Sequence, residues 1–170
     1  ALRGRDNVVI ALTSDHGVAP IPEVRSTWGD NSRASRLTSR ELEPVIAGVA
    51  PIIRRLELDP TAFNLDWGVL EVDVRGIQRV DVIDDIVRAD TVRDNYARRW
   101  LHMFRPGGEA IAVITMEPYW LYGSSISTHG SPHDYDAKVP VLFWGAAFAP
   151  GRDSSAARVV DMGPTLAHLL

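Results

Sequence analysis

Two short segments concentrate the residues able to do chemistry. Thr13-Ser14-Asp15-His16-Gly17 follows an apolar, β-branched run, Asn7-Val8-Val9-Ile10-Ala11-Leu12. A carboxylate beside an imidazole is a ligand pair suited to Zn²⁺. Neighbours on a turn can reach one ion if the backbone bends, and Gly17 permits that bend. The same residues also fit a strand-ending turn in which Asp15 caps a helix and His16 is merely exposed. The second segment is Ser127-Thr128-His129-Gly130-Ser131-Pro132-His133-Asp134-Tyr135-Asp136. His129 and His133 have the spacing of one helix face, but Gly130-Ser131-Pro132 opposes a helix. As a loop, the segment offers one His as a ligand and a nearby Asp to orient its imidazole. A polar turn held by Asp, Ser and Tyr hydrogen bonds is the plainer alternative.

Other chemistries fail on spacing or composition. Ser14, Asp15 and His16 are consecutive, whereas the members of a charge-relay triad converge from separate segments. With no cysteine in the chain, a disulfide scaffold, a Cys-based zinc site and a thiol nucleophile are excluded. Neither a G-x-S-x-G elbow, a phosphate-binding G-x-x-x-x-G-K-[ST] loop, an H-E-x-x-H helix nor a G-x-G-x-x-G turn is present. His102 and His168 fall within helical patterns and read as core or solvent-facing. Tyr119, Trp120 and Tyr122 read as rings packing a strand end against a helix, with a substrate cleft as the alternative.

The elements that must position these residues follow from the rest of the pattern. The chain has 170 residues, room for a real core. Its net charge of -4 argues against a nucleic-acid binder, which shows a basic patch. No apolar run approaches the roughly 20 residues that span a bilayer, and no signal peptide is visible. The run ending at Thr13 suits a strand buried on both faces. Residues 20–36, which hold Pro20, Pro22, Gly29, Asp30, Asn31 and scattered Arg, read as a loop. Thr38-Ser39-Arg40-Glu41 fits a capping box, and the apolar positions from Leu42 to Leu56 have helical spacing, divided by Pro44, Gly48 and Pro51. A strand is predicted over 67–74, mainly helix over 81–104, strands over 110–116 and 139–144, and an irregular stretch over 117–137. A terminal helix begins near Asp161, its plausible cap, and Pro164. Alternating strands and helices indicate a layered α/β fold.

Taken together, the motifs resemble the alkaline phosphatase superfamily, in its C-terminal half. Residues 8–17 resemble the strand and "SDHG" turn. Thr128-His129-Gly130-Ser131-Pro132, Asp134-Tyr135-Asp136 and Val139-Pro140-Val141-Leu142-Phe143-Trp144-Gly145 resemble the "HGS-P…YD…VP-L-F-G" segment. Val160-Asp161-Met162-Gly163-Pro164-Thr165-Leu166 resembles the closing "V-D-x-x-P-T-L" helix start. The Gly17-Val18-Ala19-Pro20-Ile21-Pro22-Glu23 continuation points to the broad-specificity branch, with the nucleotide pyrophosphatase/phosphodiesterase branch second. The resemblance implies helices flanking a mostly parallel central β-sheet, of which residues 1–170 are the C-terminal part of one catalytic domain. Residues about 20–110 would form an insert between the two metal motifs.

The resemblance also implies chemistry. Asp15 and His16 match ligands of one zinc and His129 a ligand of a second. His133 stands where the family most often has an aromatic residue. Asp134 and Asp136 would fix the loop. The implied reaction is hydrolysis of small phosphate monoesters by in-line displacement between two zinc ions about 4 Å apart, with a Thr or Ser nucleophile. No segment here matches that nucleophile or the remaining ligands, which in the family precede the SDHG turn. The expectation is therefore a fragment of a periplasmic or secreted metal-dependent phosphoric ester hydrolase, inactive by itself. A phosphodiesterase or sulfatase of the same superfamily is one alternative. A non-catalytic α/β module with a degenerate metal site is another.

Overall fold

The structure is a computed structural model that describes residues 8–29, 33–44, 47, 75–108, 110 and 112–169. The chain divides into two compact units. One comprises Ala1–Gly17 and Lys138–Leu170, the other Val18–Ala137.

In the first unit, β1 (Ile10–Thr13) pairs antiparallel with β6 (Val141–Trp144), Ile10 opposite Trp144 and Leu12 opposite Leu142. The Thr13 hydroxyl donates to the Pro140 carbonyl at 2.8 Å and closes the pair at its end. Burial on both faces was expected for β1. Instead Ile10, Leu12, Leu142 and Trp144 share one face and are 52, 59, 54 and 52% exposed. A continuous apolar run shows that a strand can be covered twice, not that its neighbours in the chain supply the cover. A 3-10 turn, Val159–Asp161, leads into α6 (Met162–Leu169). Asp161, expected to cap this helix, instead reaches back as the third residue of the 3-10 turn and accepts the Arg158 N–H at 2.9 Å.

The second unit holds α1 (Pro22–Arg25), β2 (Ser35–Leu37), α2 over 39–44, β3 (Ile77–Val82), α3 (Ile83–Ile86), α4 (Asn95–Met103), β4 (Ala112–Met116), β5 (Trp120–Tyr122) and α5 (Asp134–Ala137). The predicted capping box forms at α2. The Thr38 N–H donates to the Glu41 carboxylate at 2.8 Å, and the Glu41 N–H reaches back to the Thr38 hydroxyl at 3.4 Å. β2 pairs with β5 in parallel, and β3 with β4 antiparallel with a bulge between Ile77 and Arg79.

The described strands thus form three two-stranded sheets, two of them antiparallel. The α/β composition is present, but these pairs alone do not make the mostly parallel central sheet that was expected. Apolar periodicity carries no strand direction, so the pattern could not have distinguished the two pairings.

β4 lies between two apolar clusters. Val113 joins Ile83, Ile86, Ala97 and Trp100, while Ile114 and Met116 pack toward Leu37, Leu42 and Trp120. Three other expectations change. The helix anticipated from Asp81 begins inside β3, which the sequence reading missed. The loop over 20–36 contains α1 and the start of β2. The irregular stretch 117–137 contains β5 and α5. The predicted strand over 67–74 and the second half of the divided helix lie outside the described residues.

Candidate metal centre

The first candidate segment is a tight turn at the end of β1. The Ser14 hydroxyl donates to the His16 carbonyl at 2.6 Å, and the His16 N–H donates to Asp15 Oδ1 at 3.0 Å. That backbone donor is the leading reason the Asp15 carboxyl sits below the usual aspartate range. Asp15 therefore stays an anion, the form a metal requires. His16 Nδ1 lies 2.7 Å from the Gly17 carbonyl. A carbonyl only accepts, so Nδ1 carries the proton and the lone pair is on Nε2. Nε2 lies 3.5 Å from Asp15 Oδ2. Two donors on a tetrahedral zinc with bonds of about 2.0–2.1 Å are separated by about 3.3 Å. The pair fits two corners of one zinc site, and the tautomer is the one a metal-binding imidazole needs.

The second segment is a clamped loop. On its N-terminal side, the Ala19 N–H donates to the Thr128 carbonyl at 2.9 Å and the Ser127 hydroxyl to the Ala19 carbonyl. His129 is exposed, and Gly130 has φ +92°, a backbone state other residues rarely adopt. Beyond it, the Ser131 N–H donates to Asp136 Oδ2 at 2.6 Å. Arg99 of α4 donates to the Pro132 carbonyl at 2.5 Å and to Asp134 Oδ1 at 2.7 Å.

His133 takes a different role from His129. It is buried at 4% exposure. Its Nε2–H donates to the Met116 carbonyl at 2.8 Å, and its Nδ1 faces the Tyr96 hydroxyl at 3.4 Å. Its ring stacks on Tyr135, with centroids 5.3 Å apart. Burial holds its pKa below the ordinary histidine value, against the opposing pull of the Met116 carbonyl and Asp136. With both ring nitrogens engaged, His133 is an anchor. The residue that sequence reasoning left without a role therefore fixes the loop to the end of β4.

Tyr119, flagged from sequence as a packing residue, belongs to a column of rings. Arg25 lies 4.2 Å above it and 4.8 Å from the Trp28 ring, and Tyr119 stacks on Tyr135 at 4.8 Å. This column secures Tyr119 at φ +68°. Arg99, Tyr96 and Arg25 were not singled out by the sequence. Their only sequence signal is position, since Tyr96 and Arg99 share a helix face by their i, i+3 spacing.

Asp15 and His16 belong to the first unit and His129 to the second. Among the described residues, no group of three or more His, Asp or Glu side chains is gathered closely enough to hold a metal ion.

The fold has a match among solved structures. Wild-type alkaline phosphatase PafA, a solved structure, matches with a TM-score of 0.68 over 98% of this chain and 36% of that one, at 16% identity. Alkaline phosphatase PhoK from Sphingomonas sp is 41% identical over 46 residues, 27% of this chain and 8% of that protein. The chain shares the fold of alkaline phosphatase PafA. No protein-family model matches it. A protein described as a calcium-transporting ATPase, from Myroides odoratus, is 26% identical over 193 aligned residues, covering 98% of this chain and 34% of that protein. The chain thus spans about a third of the length of that relative and of PafA. Among its described residues, no helix is long and apolar enough to cross a membrane.

Proposed function

We propose that this chain contributes part of the metal centre of a zinc-dependent hydrolase of small phosphate monoesters. The observation that carries the reading is the Asp15–His16 pair. Its carboxylate oxygen and imidazole nitrogen lie 3.5 Å apart with the ring tautomer set by the Gly17 carbonyl. The fold shared with PafA and the local identity to PhoK support the reaction class.

Each residue has a stated role. Asp15 and His16 hold one zinc, and His129 presents its imidazole to a second from the clamped loop. Bound zinc supplies positive charge against the phosphoryl oxygens and lowers the pKa of an attacking oxygen. Asp136 holds the Ser131 N–H, and His133 ties the loop to β4. The coverage of about a third of the relatives' length supports reading the chain as part of a longer catalytic domain, and its motifs resemble the C-terminal part. The Thr or Ser nucleophile then lies elsewhere in a longer polypeptide.

The test is metal content and substrate preference of the full-length protein. Asp15→Ala and His129→Ala are expected to lower bound zinc, measured by elemental analysis after dialysis. Hydrolysis of p-nitrophenyl phosphate is expected to exceed that of bis-p-nitrophenyl phosphate. Unchanged zinc in both variants would favour a non-catalytic module. Faster diester cleavage would assign the phosphodiesterase branch instead.

A further inference from the structure

The backbone is tied down on both sides of His129. The Thr128 carbonyl is held by Ala19 and the Ser131 N–H by Asp136. Only His129 and Gly130 lie between those two bonds. The position of the His129 ring therefore depends on where the flanking residues are fixed.

On the C-terminal side, beside Asp136 and the His133 anchor, one guanidinium holds the segment at two points. Arg99 spans from α4 to two places on the segment, donating 2.5 Å to the Pro132 carbonyl and 2.7 Å to Asp134 Oδ1. Its side chain is 19% exposed and that of Asp134 63%, so the hold rests on the two-point geometry more than on the charge pairing. The base of this strut is rigid. The next residue, Trp100, is buried and its indole N–H donates to the Thr115 hydroxyl at 3.0 Å, tying α4 to β4. Tyr96 reaches His133 from the same face of α4. A planar guanidinium presents two donors at a fixed spacing, which an ammonium cannot copy. Neither of these Arg99 bonds reaches the apolar clusters, so its loss loosens the loop before the core.

We infer that Arg99 is a positioning residue for His129: its two-point hold on Pro132 and Asp134 sets the loop so that the His129 imidazole is presented to a metal ion. The inference rests on the proposed role of His129 as a zinc ligand. Arg99 itself touches no metal. Its action is on the entropy and aim of the ligand, as for groups that orient a metal-binding histidine from behind.

The experiment is zinc competition against a chromophoric chelator on the full-length protein that carries this chain, using Arg99→Met, Arg99→Lys, His129→Ala and the Arg99→Met/His129→Ala double variant. Arg99→Met is expected to weaken zinc binding about tenfold. Arg99→Lys, which keeps the charge and loses the fork, is expected to fall between it and the wild type. In the His129→Ala background, Arg99→Met is expected to change nothing further, because the two act through one ligand. Equal weakening in both backgrounds would mean general loosening of the fold and overturn the inference. So would wild-type affinity in Arg99→Lys. If His129→Ala alone leaves zinc binding unchanged, the ligand assignment fails, an outcome separate from failure of the Arg99 variants.

Discussion

At the scale of the residue, two histidines four positions apart divide the labour of one loop. His129 stands exposed between two clamped backbone groups, while His133 is buried with both nitrogens engaged. Burial lowers the His133 pKa below the ordinary histidine value, with Arg99 adding to the effect while Asp136, Asp134 and the Met116 carbonyl oppose it. The unfolded chain takes up this proton near pH 6.5, whereas the folded chain resists it. The stability contributed is therefore full above about pH 6.5 and is lost as pH falls below it. Denaturant midpoints measured between pH 7 and 5 are expected to fall with acidification, and His133→Gln is expected to flatten that slope. Parallel profiles in the two proteins would contradict this account.

At the scale of the element, α4 carries the loop and depends on its own start. Asp94 caps it, accepting the Tyr96 and Ala97 N–H groups at 3.0 Å each. Arg79 of β3 ties Asp94 to Asp81, donating to Asp94 at 2.8 Å. Asp94→Ala is expected to cost about 1 kcal/mol, read as a lower urea midpoint without a change in slope. A similar argument applies where Gly76 precedes β3. Gly76 has φ +92°, and an added Cβ would meet the Trp120 ring at 2.2 Å. Gly76→Ala would displace a core indole, so it is expected to destabilise more than Asp94→Ala in the same assay. A smaller loss would mean that Trp120 repacks freely.

At the scale of the whole molecule, the chain matches about a third of a solved enzyme of the same fold. Half of the expected ligand set and the nucleophile have no counterpart in its sequence. The isolated 170-residue chain is accordingly expected to show no zinc-dependent hydrolysis of p-nitrophenyl phosphate above the uncatalysed rate. Measurable turnover would place a nucleophile within these residues. The four apolar side chains on the open face of the β1–β6 pair belong to this scale too. Their exposure shows that a local apolar run can demand cover that its own unit does not provide.

The sequence by itself determined the chemistry available and much of the local order. Asp15, His16 and His129 stood out because ligand-type side chains gathered beside turn residues. The capping box at Thr38 and Glu41 and the strands ending at Met116 and Trp144 were legible because hydrogen-bonding type and apolar spacing are local properties. Tertiary structure alone decided strand direction, the presence of β3, the burial of His133 and the role of Arg99. Each depends on contacts between residues far apart in the chain. Arg99 meets Pro132 and Asp134 across more than thirty residues, and Trp100 meets Thr115 across fifteen. Residue type and spacing record what a side chain can do. Only the folded backbone records what stands opposite it.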